Sequence, residues 1–255
     1  MLLKLSLESL QPTASAQALC ESEAQALPAY EAYLRTLGQH YVGAYQVQVE
    51  HKPGTAAQAL DLRSTWAEVC LAPGVADQVD VAAVREVNRP RPLEVQAMLD
   101  RRRSYLEPRD RFTLWLKPMF LSPLAREPMR LDGRLLRLAL RYLPAGRTID
   151  ELSQFGQGVV ARYAEFMRQA RWYHVGTFHT FGFPEYLYVD TLDVIEAATP
   201  AEALANDAAV PVTPEMQSIY HECAVYLDRT RERYVLWLSP LVHGSEAQQP
   251  FSLAA

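Results

Sequence analysis

Two arginines offer the clearest chemistry in the chain. Arg137 and Arg141 lie four residues apart in an alternating stretch, Leu135-Leu-Arg-Leu-Ala-Leu-Arg-Tyr-Leu143, which puts both on one face of a strand. Guanidinium groups grip carboxylates through paired hydrogen bonds, so this pair is the best candidate for holding an acidic small molecule. Arg63, Trp115 and Trp237 are further ligand-binding candidates, the tryptophans either as stacking platforms or as packed core. His179, with Tyr188 and Asp190 on the following strand, could form an acid–base group that takes a proton from a small substrate. A structural histidine satisfied by its neighbours is the competing reading. His174 precedes His179 by five residues in one strand, so strand parity sends the two to opposite faces and argues against a shared metal ion.

Other signals narrow the field. There is no GxGxxG, P-loop, GxSxG or HExxH sequence. Cys20, Cys70 and Cys223 are odd in number and far apart, which fits neither a disulfide framework nor a zinc site. A net charge of −5 argues against a general nucleic-acid footprint. The run Arg101-Arg-Arg103 beside Asp100 reads as a solvated helix face. No apolar run has the ~20 residues of a membrane helix, and the start, Met1-Leu-Leu-Lys-Leu-Ser-Leu-Glu8, is unlike a signal peptide. A soluble cytoplasmic protein, bound to neither nucleic acid nor membrane, is the expectation.

The elements that must position these residues come in two copies. Arg109-Asp-Arg-Phe-Thr-Leu-Trp-Leu-Lys-Pro118 returns as Arg231-Glu-Arg-Tyr-Val-Leu-Trp-Leu-Ser-Pro240, with six of ten positions identical. The strand at 2–10 returns at 135–143 with five of nine. Between them, helical regions at 14–37 and 149–170 precede strands at 40–48 and 173–180 that share Val42-Gly43 and Val175-Gly176. Pro28 should break or kink the first helix, and Thr148 with Glu151 forms a capping box for the second. The shared glycine suggests a bulge or a close backbone approach. A third strand is expected at 58–65 and 185–192, aligned through Leu60 with Leu187, and further helices follow, with capped starts at Thr199 and Thr213.

Each copy therefore reads β-α-β-β-α-β, the ferredoxin-like motif. The fold expected is α+β: two tandem ferredoxin-like repeats, 1–123 and 134–245, joined by a linker at 124–133 and followed by a tail at 246–255. The strands have one aliphatic face (Leu3, Leu5, Leu7; Leu136, Leu138, Leu140), which we assign to the helices. The other face carries Lys4, Glu8 and Asp61, and in the second copy Arg137, Arg141 and Asp190. Two such faces packed together would enclose a charged interior, either salt-bridged (Lys4 with Glu8, Arg63 with Asp190) or open to a polar ligand.

With its Val-Gly-x-Tyr/Phe strands (Val42-Gly43, Val175-Gly176) and the Leu-rich Leu60-Asp-Leu-Arg63, the chain resembles the dimeric α/β-barrel superfamily in its fused, tandem-repeat form, and within it the NIPSNAP-like group. The resemblance implies a pseudo-dimeric barrel, in a monomer or a homo-oligomer, that binds a small molecule. It implies cofactor-independent oxygenase or isomerase chemistry, or haem handling, or a protein-interaction role without catalysis. No cofactor is the primary expectation. For the haem alternative, His221 is a helical candidate ligand. Chlorite-dismutase-like proteins, also built of two such units, would place the ligand where this chain has Phe166-Met-Arg-Gln-Ala-Arg171.

Overall fold

The computed structural model describes residues 2–52, 64–72, 88–126, 131, 133–181, 187–231 and 233–245. In chain order the elements are β1 (Leu2–Leu10), α1 (Ala16–Glu23), α2 (Leu27–Thr36), β2 (His40–Lys52), β3 (Trp66–Ala72), α3 (Leu93–Arg103) and β4 (Leu106–Leu121). After a 3-10 turn at Pro123–Arg126 come β5 (Leu135–Tyr142), α4 (Ile149–Arg168), β6 (Trp172–Phe181), β7 (Leu187–Ile195), α5 (Pro200–Ala208) and α6 (Pro214–Cys223). A second 3-10 turn, Ala224–Tyr226, leads to β8 (Arg233–His243). Pro28 sits in the first turn of α2, where its missing N–H costs nothing, and the helical region divides just before it. Thr148 and Glu151 close both bonds of the capping box on α4.

Eight strands close into a barrel in the order β4-β1-β3-β2-β8-β5-β7-β6, every neighbour antiparallel. The first four and the last four strands each have the order fourth-first-third-second, and the two sets meet at the β2–β8 and β4–β6 seams. Gly43 and Gly176 lie at these seams. A Cβ on Gly43 would come within 2.4 Å of the Val242 carbonyl oxygen, and one on Gly176 within 2.4 Å of that of Phe120. The register also shifts at both glycines, so bulge and close approach occur together.

The third strand of the first half differs from expectation. It runs over Trp66–Ala72, while 58–63 lies outside the described residues and 64–65 precedes the strand. Trp66-Ala-Glu-Val-Cys-Leu-Ala72 is apolar at six of seven positions and buried throughout, as suits a strand paired on both sides. The expected linker is also drawn into the fold: β4 runs to Leu121, and Ala125 and Leu131 are buried against the barrel's apolar core.

The largest correction concerns the two sheet faces. Leu3, Leu5, Leu7, Leu136, Leu138 and Leu140 point into the barrel, where they join residues from all eight strands in one apolar cluster. The charged face lies outside, beneath the helices. An eight-stranded barrel has an interior just wide enough for side chains to fill it. Here aliphatic residues with a few aromatic ones do so, and the buried Tyr45 hydroxyl is left without a hydrogen-bond partner among the described residues. Lys4, Glu8, Arg137 and Asp193 need partners, and neighbouring strands of the same face supply them: Trp115 for Lys4, Arg111 for Glu8, and Arg137 with His174 for Asp193. Among the described residues no helix is long and apolar enough to cross a membrane.

Candidate ligand cavity beneath the helices of the second half

A cavity of about 190 Å³ lies between the β5–β7–β6 face and the covering segments α4, α6 and the 3-10 turn after it. Its floor is polar and comes from the strands: Arg137 and Arg141 on β5, His174 and Thr177 on β6, Asp190 and Thr191 on β7. Its roof is apolar and aromatic, with Phe155 and Tyr163 from α4, Tyr220 from α6 and Tyr226 from the turn. Phe120 reaches in from β4 over Gly156, where a Cβ would lie only 2.0 Å from the ring. The missing side chain at 156 thus makes the space that this wall of the cavity occupies.

The floor is organised by Asp193, which is fully buried. One carboxylate oxygen meets His174 Nδ1 at 2.9 Å, and the other accepts from Arg137 Nη1 at 3.1 Å. Arg137 also donates to Thr191 Oγ1 at 3.0 Å and stacks over the rings of Trp172 and Trp237, at 5.1 and 5.6 Å from their centroids. A carboxylate facing Nδ1 favours the tautomer with the proton on that nitrogen, which makes Nε2 the acceptor of the neutral ring. Tyr163 packs edge-on against the imidazole at 4.9 Å.

Beside this group Arg141 Nε lies 2.7 Å from Asp190 Oδ2. The contact is ionic and off the hydrogen-bond axis, since Arg141 Nε has no aligned acceptor. Asp190 is the main cause that holds the Arg141 guanidinium above its ordinary value. Burial, reinforced by Asp190, pushes the Cys223 thiol up to about 12, so this cavity residue stays protonated near neutrality and is a poor nucleophile. Burial likewise raises the Tyr163 and Tyr188 hydroxyls well above the ordinary phenol value. Tyr188 donates its proton to the Tyr226 carbonyl at 2.9 Å, tying the sheet to the roof.

Of the residues singled out from the sequence, Arg137, Arg141, Tyr188 and Asp190 come together in this wall. Trp237 lies beneath Arg137, packed edge-on against Trp172 and donating from Nε1 to Glu50 at 2.8 Å. Trp115 is in the other half, with Lys4 Nζ over its ring at 5.7 Å. Arg63 lies outside the described residues. Glu8 pairs with Arg111 at 2.9 Å, not with Lys4, and Asp190 pairs with Arg141. His179 is half-buried beside Phe181, outside the cavity, with its imidazole held below the usual value by burial and by Lys117.

Unbroken parity along β6 and β7 sets His174 on the opposite face from His179 and Asp193 on the opposite face from Tyr188, so neither reads as a site residue from the sequence. His174 pairs with Asp193 and His179 with Tyr188, both partners on the outer face, because the bulge at Gly176 restores the histidines to one side. The glycine shared by the two copies was the available signal.

The residues of the haem alternative do not fit. His221 is exposed on α6 and does not line the cavity. In the 166–171 segment, Phe166, Met167 and Ala170 belong to the apolar core under the helices. Among the described residues no group of three His, Cys, Asp or Glu side chains is placed to hold a metal ion.

No protein-family model matches the chain, and no curated protein matches it. Among solved structures it is similar to an anthrone oxidase-like protein (TM-score 0.45, 10% identity, covering 100% of this chain and 96% of the other). It is similar to a dye-decolorizing protein from V. cholerae (0.44, 9%, 94% and 93%). A mutant chlorite dismutase from Candidatus Nitrospira defluvii follows (0.39, 10%, 94% and 92%). The chain's own residues carry the reading of the site.

Proposed function

We propose that the cavity beneath α4 and α6 binds a small organic acid and handles one of its protons. Two guanidinium groups and a buried His174–Asp193 pair around one cavity carry this reading. Arg137 and Arg141 supply donors for a carboxylate, and exposed Arg229 adds positive charge to the same lining. Asp193 fixes the His174 tautomer and stabilises the imidazolium that forms when Nε2 accepts a proton. Deprotonation next to a carboxylate opens both an isomerisation and a cofactor-independent oxygenation, so both reaction classes remain within the proposal. Tyr188 and Asp190 act here as cavity wall and as the Arg141 partner, and His174 takes the role expected of His179.

The strand order supports a finer structural reading. Two fused ferredoxin-like units, 1–123 and 134–245, with their sheets joined edge to edge, would form the pseudo-dimeric barrel of the dimeric α/β-barrel superfamily. The site then belongs to the second unit and lies outside the barrel, under the helices.

Native mass spectrometry of the protein as purified, followed by binding of small carboxylates to the ligand-free form, tests the function. A mass excess matching an organic acid, released on denaturation and absent from Arg141→Gln, is the expected result. A mass excess matching haem, or failure of every small acid tried to bind, contradicts the proposal.

A further inference from the structure

The cavity's two faces also specify what kind of acid it takes. Apart from exposed Arg229, its charged groups lie on the strand floor, whereas the helical roof offers rings. Phe155 stacks on Tyr226 at 4.8 Å, and Tyr163 meets Tyr220 edge to face at 6.5 Å. Phe120 adds another ring, held where Gly156 leaves room for it. A ligand must therefore be amphipathic along one axis, with its charge down on Arg137 and Arg141 and an apolar body up among the rings.

Size limits that body. A cavity of roughly 150 Å³ accepts benzene. The 190 Å³ here leaves space for one ring and a carboxylate. Aromatic contacts with centroids 4.5–7 Å apart favour a ring over an alkyl chain of equal area. We infer that the ligand is a single-ring aromatic acid, bound with its carboxylate on the arginine floor and its ring against Phe155, Tyr163 and Phe120. The position between ring and carboxylate then falls on the His174 side of the cavity. This inference rests on the proposal that the cavity binds acids.

Three probes separate the two claims: phenylacetate, hexanoate (an aliphatic acid of like charge) and benzyl alcohol (a ring without charge). Their affinities for the full chain are measured by ligand-observed NMR or calorimetry. Phenylacetate is expected to bind about tenfold more tightly than hexanoate, the equivalent of one or two aromatic contacts. It should exceed benzyl alcohol by about tenfold or more, as a lost charge-assisted contact implies. Phe155→Leu should erase the preference for phenylacetate over hexanoate. Arg141→Gln should weaken both acids by the same factor. Equal binding of the two acids overturns the aromatic class and leaves the acid site standing. Binding of benzyl alcohol alone, or of none of the three, overturns the acid site and the inference with it.

Discussion

The two halves of the barrel solve the same problem in opposite ways. In both, the outer sheet face carries charge under a cover of helices. In the first half the cation comes from the cover: Arg102 on α3 reaches down to the sheet. It donates to Glu68 Oε2 at 2.8 Å and to Glu23 Oε2 at 3.0 Å, and lies between the rings of Tyr30 and Trp66. Tyr30 donates to the remaining Glu68 oxygen at 2.7 Å. In the second half the cations rise from the sheet, on β5, and the helices above contribute apolar and aromatic groups. Arg137 takes the place of Lys4, and by register Thr191 that of Glu68. An arginine that descends makes a satisfied ion cluster and leaves a smaller cavity, about 70 Å³. Arginines that ascend beneath an apolar roof leave the larger one. One arrangement holds the fold together and the other leaves room for chemistry.

The largest effect is expected at Arg102. Arg102→Met strands Glu23 and Glu68 beneath the helices, and should cost about 4 kcal/mol in denaturant unfolding. Adding Glu23→Gln and Glu68→Gln should recover most of that loss, because no buried charge remains unpaired. If the single variant loses under 1 kcal/mol, the cluster is not the structural anchor described here.

In the second half, Asp193→Asn should cost about 2 kcal/mol, since it removes one charge-assisted partner from Arg137, which retains some access to water. It should also abolish any proton transfer that depends on His174, while leaving acid binding at Arg141 measurable. Gly156→Ala should cost about 1 kcal/mol, overpacking against Phe120 being partly offset by alanine's helix preference. Its larger effect should be on the cavity, with the displaced ring lowering acid affinity.

The smallest effect concerns pH. Burial, the largest cause, holds the Glu8 carboxyl above its ordinary value of 4.5. An acid raised in the folded state keeps its proton longer there than in the unfolded chain. Its contribution to stability therefore falls as pH rises from the ordinary value through the folded one. Glu8→Gln removes that fall and should flatten the stability–pH curve on the alkaline side of 4.5, in equilibrium unfolding followed across pH. Glu23 shifts in the same direction and Glu68 in the opposite one, so a residual slope will remain.

Much of this was legible in the chain. Alternation located β1 and β5, capping residues located the start of α4, and the repeated Trp-Leu stretch located β4 and β8. Which face turned inward was not. Alternation says that two faces differ, and the choice between them depends on what the opposite layer brings. Arg102 illustrates this: its neighbours Arg101 and Arg103 are exposed, so the run was read as one solvated face, while the middle residue is buried in an ion cluster. The site residues Arg137 and Arg141 could be named because their strand is regular. His174 and Asp193 could not, because a bulge at Gly176 inverts parity along β6 and an extra residue at Asp190–Thr191 does the same along β7.

The proposed ligand chemistry lies outside the barrel, under the second half's helices, and the interior is packed core. Methyl NMR spectra recorded during a phenylacetate titration test this placement directly. The account predicts shifts at Val159, Val160 and Ile219, which line the cavity, and none at Leu5, Leu138 and Leu236 within the barrel. Shifts confined to the interior leucines would contradict it.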